Sequence, residues 1–106
     1  MKIAAKDQIH FYKAEHIVRF EHGTDNVSVY LKNGNTEHID AKIDQLSSDL
    51  EDQGFIRVHP DHLININCIT QICGHNADFV KLVNGDMIPL LPEAGNQLMT
   101  LLEDHI

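Results

Sequence analysis

Positive charge is the scarcest resource in this chain: eight Lys and Arg stand against sixteen Asp and Glu, for a formal net charge of −8 over 106 residues. Non-specific affinity for nucleic acid comes largely from Lys and Arg neutralising phosphates, so the balance argues against a protein held to DNA by a broad basic face. Long apolar runs are missing too. No stretch approaches the roughly 20 residues of a membrane span, and the start, Met1-Lys-Ile-Ala-Ala-Lys-Asp, lacks the apolar run of a signal peptide. The expectation is a cytoplasmic protein with no membrane partner. Cysteine is limited to Cys68 and Cys73, close together in an apolar context, and these read as reduced, buried thiols rather than a bridge. A Gly-rich phosphate loop, a nucleophile elbow and a paired-carboxylate constellation are all absent, so no enzymatic activity is expected. Tryptophan is absent as well, while the hydrophobic fraction is an ordinary 42%. A chain of this length forms one domain, spanning residues 1–106, with a core of its own.

The few cations are unevenly spread. Residues 1–22 hold Lys2, Lys6, Lys13 and Arg19 against three acids, for +1. Residues 23–54 hold Lys32 and Lys42 against seven, for −5; residues 55–85 balance; residues 86–106 hold four acids and no Lys or Arg, for −4. A local basic patch is expected only near the N-terminal strands and around Arg57 and Lys81.

What is present is strand pattern. Ile9-His-Phe-Tyr-Lys and Ile17-Val-Arg-Phe-Glu mix β-branched and aromatic residues at strand length. Val27-Ser-Val-Tyr-Leu alternates at period two, so Val27, Val29 and Leu31 share a face. Asn33-Gly34 suits the left-handed angles of a tight hairpin turn, and a return strand runs through Thr36-Glu-His-Ile. From Ala41 to Gln53 the period changes: Ile43, Leu46 and Leu50 make the stripe of a short amphipathic helix, with Asp40 as its N-cap and Gly54 as its stop. Strands follow at Phe55–His59, Leu63–Asn67 and Ile69–Cys73. Phe79-Val-Lys-Leu-Val, Asn84-Gly85 and Asp86-Met-Ile-Pro-Leu-Leu form a second Asn-Gly hairpin. Glu93 to Asp104 closes the chain as a short helix carrying Leu98, Leu101 and Leu102. Ile17, Phe20, Val29, Leu46, Leu50, Phe55, Val58, Leu63, Ile64 and Val80 are the expected core.

Eight histidines invite a metal reading. His59-x-x-His62 could place two imidazoles on one ion with Asp61 nearby, but spacing fixes no third or fourth ligand. The domain is expected to hold no metal and no cofactor. As a class, histidines gain charge near pH 6 and would then offset part of the −8.

Phe55-Ile-Arg-Val-His-Pro-Asp-His-Leu-Ile-Asn65 is the most informative tract. It resembles the signature segment of the LytTR family of bacterial DNA-binding domains, where Arg-Val-His is followed by two polar residues and then Leu-Val-Asn. The resemblance extends to Ile17-Val-Arg-Phe-Glu21, the helix 41–53 and Asn84-Gly-Asp-Met-Ile-Pro89, in the family's order and spacing. It implies a mainly β fold: stacked small antiparallel sheets, one short helix between hairpins and a short C-terminal helix. It also implies the DNA-binding domain of a bacterial transcriptional regulator, whose loops, rather than a recognition helix, enter successive major grooves of a repeated site in double-stranded DNA. Family members commonly follow a phosphoacceptor receiver domain, so a receiver domain or sensor protein is an expected partner. Homo-oligomerisation is left open.

Three loops do the reading in such domains. They correspond here to Asp25-Asn26, to His59-Pro60-Asp61-His62, and to Leu91-Pro92-Glu93 after the last strand. The family commonly carries His, Asn, Ser, Arg or Lys at these places, which reach base edges or phosphates. This chain departs from that pattern. Pro60 lacks an N–H, Asp61 and Glu93 only accept hydrogen bonds, and Leu91-Pro92 stands where a Ser-Arg type pair is usual. Asn26, His59 and His62 remain as donors. A DNA binder with altered contacts and a LytTR-scaffold protein-interaction module that has lost most of its DNA contacts are both compatible with this set.

Overall fold

Three antiparallel sheets divide the strands of the computed structural model, which describes residues 1–103. The first is a ribbon of β1 (Lys2–Ala4) and β2 (Ile9–Phe11). The second combines β3 (Ile17–His22), β4 (Val27–Leu31), β5 (Thr36–Ile39), β6 (Phe55–His59) and β7 (His62–Asn65) in the spatial order β5-β4-β3-β7-β6. Helix α1 (Ile43–Asp49) joins β5 to β6. The third sheet sets β8 (Ile69–Cys73), β9 (Phe79–Leu82) and β10 (Met87–Pro89) in the order β10-β9-β8, and α2 (Pro92–Glu103) follows. The result is the mainly β arrangement expected, drawn out to 43 × 24 × 24 Å. No helix among the described residues is long and apolar enough to cross a membrane.

The five-stranded sheet is covered on both faces, which explains why its central strands read as nearly continuous apolar runs. On one face α1 and the β1–β2 ribbon bury Ile3, Ile17, Phe20, Val29, Leu46, Phe55 and Leu63 among others. On the other, the third sheet and α2 bury Val18, Ile56, Val58, Ile64, Val80, Ile88 and Leu98. All ten residues expected in the core are buried. Cys68 is buried, its thiol held above its ordinary range by that burial, whereas Cys73 is only half-buried; both are free thiols.

Three β-bulges break the strand alternation, one of them at Thr70 in β8. In the other two, register shifts at Val18 in β3 and at Val58 in β6, where an extra residue re-aims the side chain that follows. In β3 the side chain re-aimed is Arg19, which turns toward the third sheet; in β6 it is His59, which comes opposite His62.

The elements differ from expectation in several places. The strand expected over Leu63–Asn67 ends at Asn65 and gives way to a 3-10 turn at Ile66–Cys68, for which Asn65 is the side-chain cap. The helix expected over Ala41–Gln53 is α1 alone, followed by a 3-10 turn at Glu51–Gln53. Asp40 does not cap it. Lys42 holds the N-cap position without a side-chain bond, while the Asp40 carbonyl accepts from Lys6 N–H (3.1 Å). Gly54 ends the segment as anticipated, at φ +84°. Both Asn-Gly turns form, but only the glycines are left-handed (Gly34 and Gly85, each φ +91°). Gly34 N–H donates to Leu31 O (3.0 Å) and Gly85 N–H to Leu82 O (2.9 Å), the pattern of a type I turn closed by a bulge glycine rather than a two-residue turn. Finally, α2 begins at Pro92 rather than Glu93; its expected end at Asp104 lies outside the described residues.

Candidate nucleic-acid interface

β3 and β4 are joined at His22–Val27 and β6 and β7 at His59–His62, so both connections fall at the same end of the five-stranded sheet. His22 N–H donates to Asp61 O (2.8 Å), fastening one turn to the other. The third segment arrives from the other sheet: Leu91 N–H donates to Val58 O (3.0 Å), which seats the start of α2 beside β6. Arg57, His59, Pro60, Leu91, Glu93 and Gln97 then line a shallow groove between them. The positions taken from sequence, Asp25, Asn26, His59, Pro60, Asp61, His62, Leu91 and Pro92, are thus brought to one end of the molecule.

Their chemistry differs from residue to residue. Asp25, Pro60, Asp61, Leu91, Pro92 and Glu93 are exposed, while Asn26, His59 and His62 are half-buried. His59 Nδ1 accepts from Asp61 N–H (3.2 Å), which in the neutral ring leaves the proton on Nε2 as a donor. His62 is a different case. Its Nδ1 lies 3.5 Å from Glu21 Oε1, is buried, and makes no hydrogen bond. Burial lowers its pKa below the ordinary 6.5 despite the opposing pull of Glu21. His62 therefore belongs with the interior rather than with the charge-gaining donors. Pro92 and Glu93 are not in a loop: Pro92 fits the first helical position, and Glu93 faces the positive end of the helix dipole.

Neither arginine is available as a free cation. Arg57 closes the β6–β7 turn from beneath. Its Nε donates to His59 O (3.0 Å), its Nη2 to Pro60 O, and its Nη1 to Asp44 Oδ1 (3.0 Å). Arg19 is buried, donating to Asp86 Oδ2 and Glu21 Oε1 (both 2.9 Å) with its guanidinium carbon 3.7 Å from the centre of the Tyr30 ring. The basic patch expected around Arg57 is therefore a strut. Among the described residues no group of three or more His, Cys, Asp and Glu is arranged to hold a metal ion, and the His59 and His62 rings sit 5.3 Å apart without a third ligand.

The family model of the LytTr DNA-binding domain matches residues 7–102. The chain belongs to the LytTR family. Its fold also matches a solved structure, the LytTr DNA-binding domain of a protein described as a methyl-accepting/DNA response regulator from Bacillus cereus. That match has a TM-score of 0.74 and 17% identity, and covers 96% of this chain and 94% of the other. No curated protein matches the chain.

Within this LytTR domain, part of the signature tract is structural. Asn65 is buried, donates to Ile17 O (2.9 Å) and Ala14 O (3.3 Å), and accepts from Asn67 N–H (2.9 Å). Its amide thus locks β7 to the start of β3. His22 and Thr24, on either side of Gly23, are also exposed at this end of the sheet.

Proposed function

We propose that this LytTR domain is the sequence-specific DNA-binding unit of a bacterial transcriptional regulator, reading double-stranded DNA through loops in the major groove. One observation carries the reading: three segments distant in sequence, at 22–26, 59–62 and 91–93, meet at one end of the sheet and are cross-tied there by backbone hydrogen bonds. A reading head of this kind needs rigid support more than it needs a helix. Asn26, His59 and His22 supply its hydrogen-bond donors. With both arginines occupied and Asp25, Asp61 and Glu93 exposed, phosphate contacts are few and affinity is modest. A receiver domain or a sensor protein would supply the regulating signal.

The acidity of this end favours one second reading, a protein-interaction module on the same scaffold. A titration of the chain on random duplex DNA over a salt series separates the two. Each phosphate contact contributes close to −0.9 to the log–log slope, so the DNA reading expects measurable binding at low salt with a shallow slope of about −1 to −3. No binding at the lowest salt at which the chain stays folded puts the interaction module ahead.

A further inference from the structure

We propose that β2 is a dimerisation edge, on which the β2 strand of a second copy of this chain pairs antiparallel about a two-fold axis at His10. This goes beyond the DNA-reading end, which lies at the far end of the sheet from the turn Leu31–Asn33 that neighbours β2.

The backbone supplies the first observation. Tyr12 N–H donates to Met1 O and Ala5 N–H to Gln8 O (3.0 and 2.8 Å), and β1 pairs Ile3 with His10. Bonded and non-bonded pairs alternate along an antiparallel ladder. Ile9 and Phe11 therefore turn their N–H and C=O groups away from β1. Among the described residues those four groups have no hydrogen-bond partner, and β2 has no second neighbour strand. The side chains supply the second. Phe11 is 77% and Ile9 58% exposed, more than any other large hydrophobic residue described. Folded proteins usually protect a free edge with charge, proline or a bulge; these three positions, Ile9-His10-Phe11, carry none of them.

Self-complementarity identifies the occupant. With the axis at His10, Ile9 of each copy faces Phe11 of the other, so apolar groups meet twice and the four outward backbone groups of each strand are satisfied together. The Lys6-Asp7 turn comes to lie beside the Lys13–Glu15 segment of the second copy, Asp7 opposite Lys13 and Lys6 one step from Glu15. Other axes with the same bonding parity are poorer. At Phe11, Ile9 faces Lys13 and Asp7 faces Glu15; at Ile9, Phe11 faces Asp7. A two-fold pairing of this kind closes on itself and stops at two chains.

Sedimentation velocity over a concentration series, without DNA, tests the idea independently of the DNA reading. The chain should shift from the 12.0 kDa of one copy toward twice that mass. Phe11→Lys should stay at the single-chain mass at the same concentrations with an unchanged circular dichroism spectrum, because Phe11 is outside the core. The register has its own test. The two position-10 residues would be a non-bonded pair with Cα atoms about 4.5 Å apart, within the span a disulfide tolerates. In a Cys73→Ser background, His10→Cys should therefore cross-link into a covalent dimer under mild oxidation, well above an Ile9→Cys control. A single-chain mass at every concentration, a dimer that survives Phe11→Lys, open-ended larger assemblies, or cross-linking no better than the control would each overturn the proposal.

Discussion

Arg19 shows how one residue can look functional in a sequence and be structural in the fold. As one of only two arginines in a chain of −8 it invites assignment to a phosphate. The bulge at Val18 instead aims it inward, where burial opposes its charge and hydrogen bonds to Asp86 and Glu21 more than restore it. Breaking a fully buried pair by removing one partner costs about 3–5 kcal/mol; Glu21 and Asp86 are each about a third exposed, so Arg19→Ala should cost about 2–3 kcal/mol, measurable by urea unfolding. His62 makes a pH-dependent contribution of the opposite kind. Its folded-state pKa is lowered by burial, so the unfolded chain takes up the proton first as pH falls below about 6.5. The stability this group contributes is complete above that pH and is lost toward the lower, folded value. Melting temperatures followed from pH 7 to 5 should fall less in His62→Gln than in the parent; parallel curves would remove His62 as the cause. Neither behaviour was legible in the sequence, because both depend on a strand, β3, that is brought beside β7 and the β9–β10 turn only by folding.

At the level of elements, the sequence was most readable where periodicity was strict. Val27, Val29 and Leu31 do share one face, and Ile43, Leu46 and Leu50 do form one stripe. It was least readable where a single inserted residue or a backbone bond decides the outcome. Nothing in Arg-Val-His announces the bulge that sets His59 opposite His62, and Asp40 was a sound N-cap on composition, yet α1 starts only at Ile43 and leaves Lys42 in the cap position. The turns lie between these cases. Asn-Gly was recognised, but Asn84 serves by accepting Asp86 N–H through its side chain (3.1 Å), and only Gly85 needs a left-handed φ. Gly85→Ala should therefore cost about 1–2 kcal/mol even though a Cβ there meets no neighbour. Asn84→Ala should cost less, since its φ is ordinary. Thermal unfolding of the two variants side by side checks the order; a larger loss for Asn84→Ala would mean that side-chain bonding, not backbone angle, holds the turn.

For the molecule as a whole the question is how a domain of net charge −8 approaches a polyanion. On the proposed reading, three exposed positions of the DNA-facing end, Pro60, Asp61 and Glu93, withhold donors or repel phosphate. Their roles in the fold are minor enough to change. Pro60 contributes its carbonyl to Arg57, and any residue retains that group. Asp61 contributes its own carbonyl to His22. Only Glu93 adds side-chain stability, by facing the start of α2, worth about 0.3–1 kcal/mol. The combined variant Pro60→Arg, Asp61→Asn and Glu93→Arg moves the formal net charge from −8 to −4, by steps of one, one and two. It should fold with little loss of stability and bind duplex DNA more tightly. If the two new arginines each reach a phosphate, the log–log salt slope should steepen by about 2 units. Tighter binding with no change in slope would point to base-edge contacts by the new Asn rather than to phosphates. A folded triple variant whose DNA binding is unchanged or absent would mean that this end of the sheet does not face DNA, and the acidic surface would then be read as built for a protein.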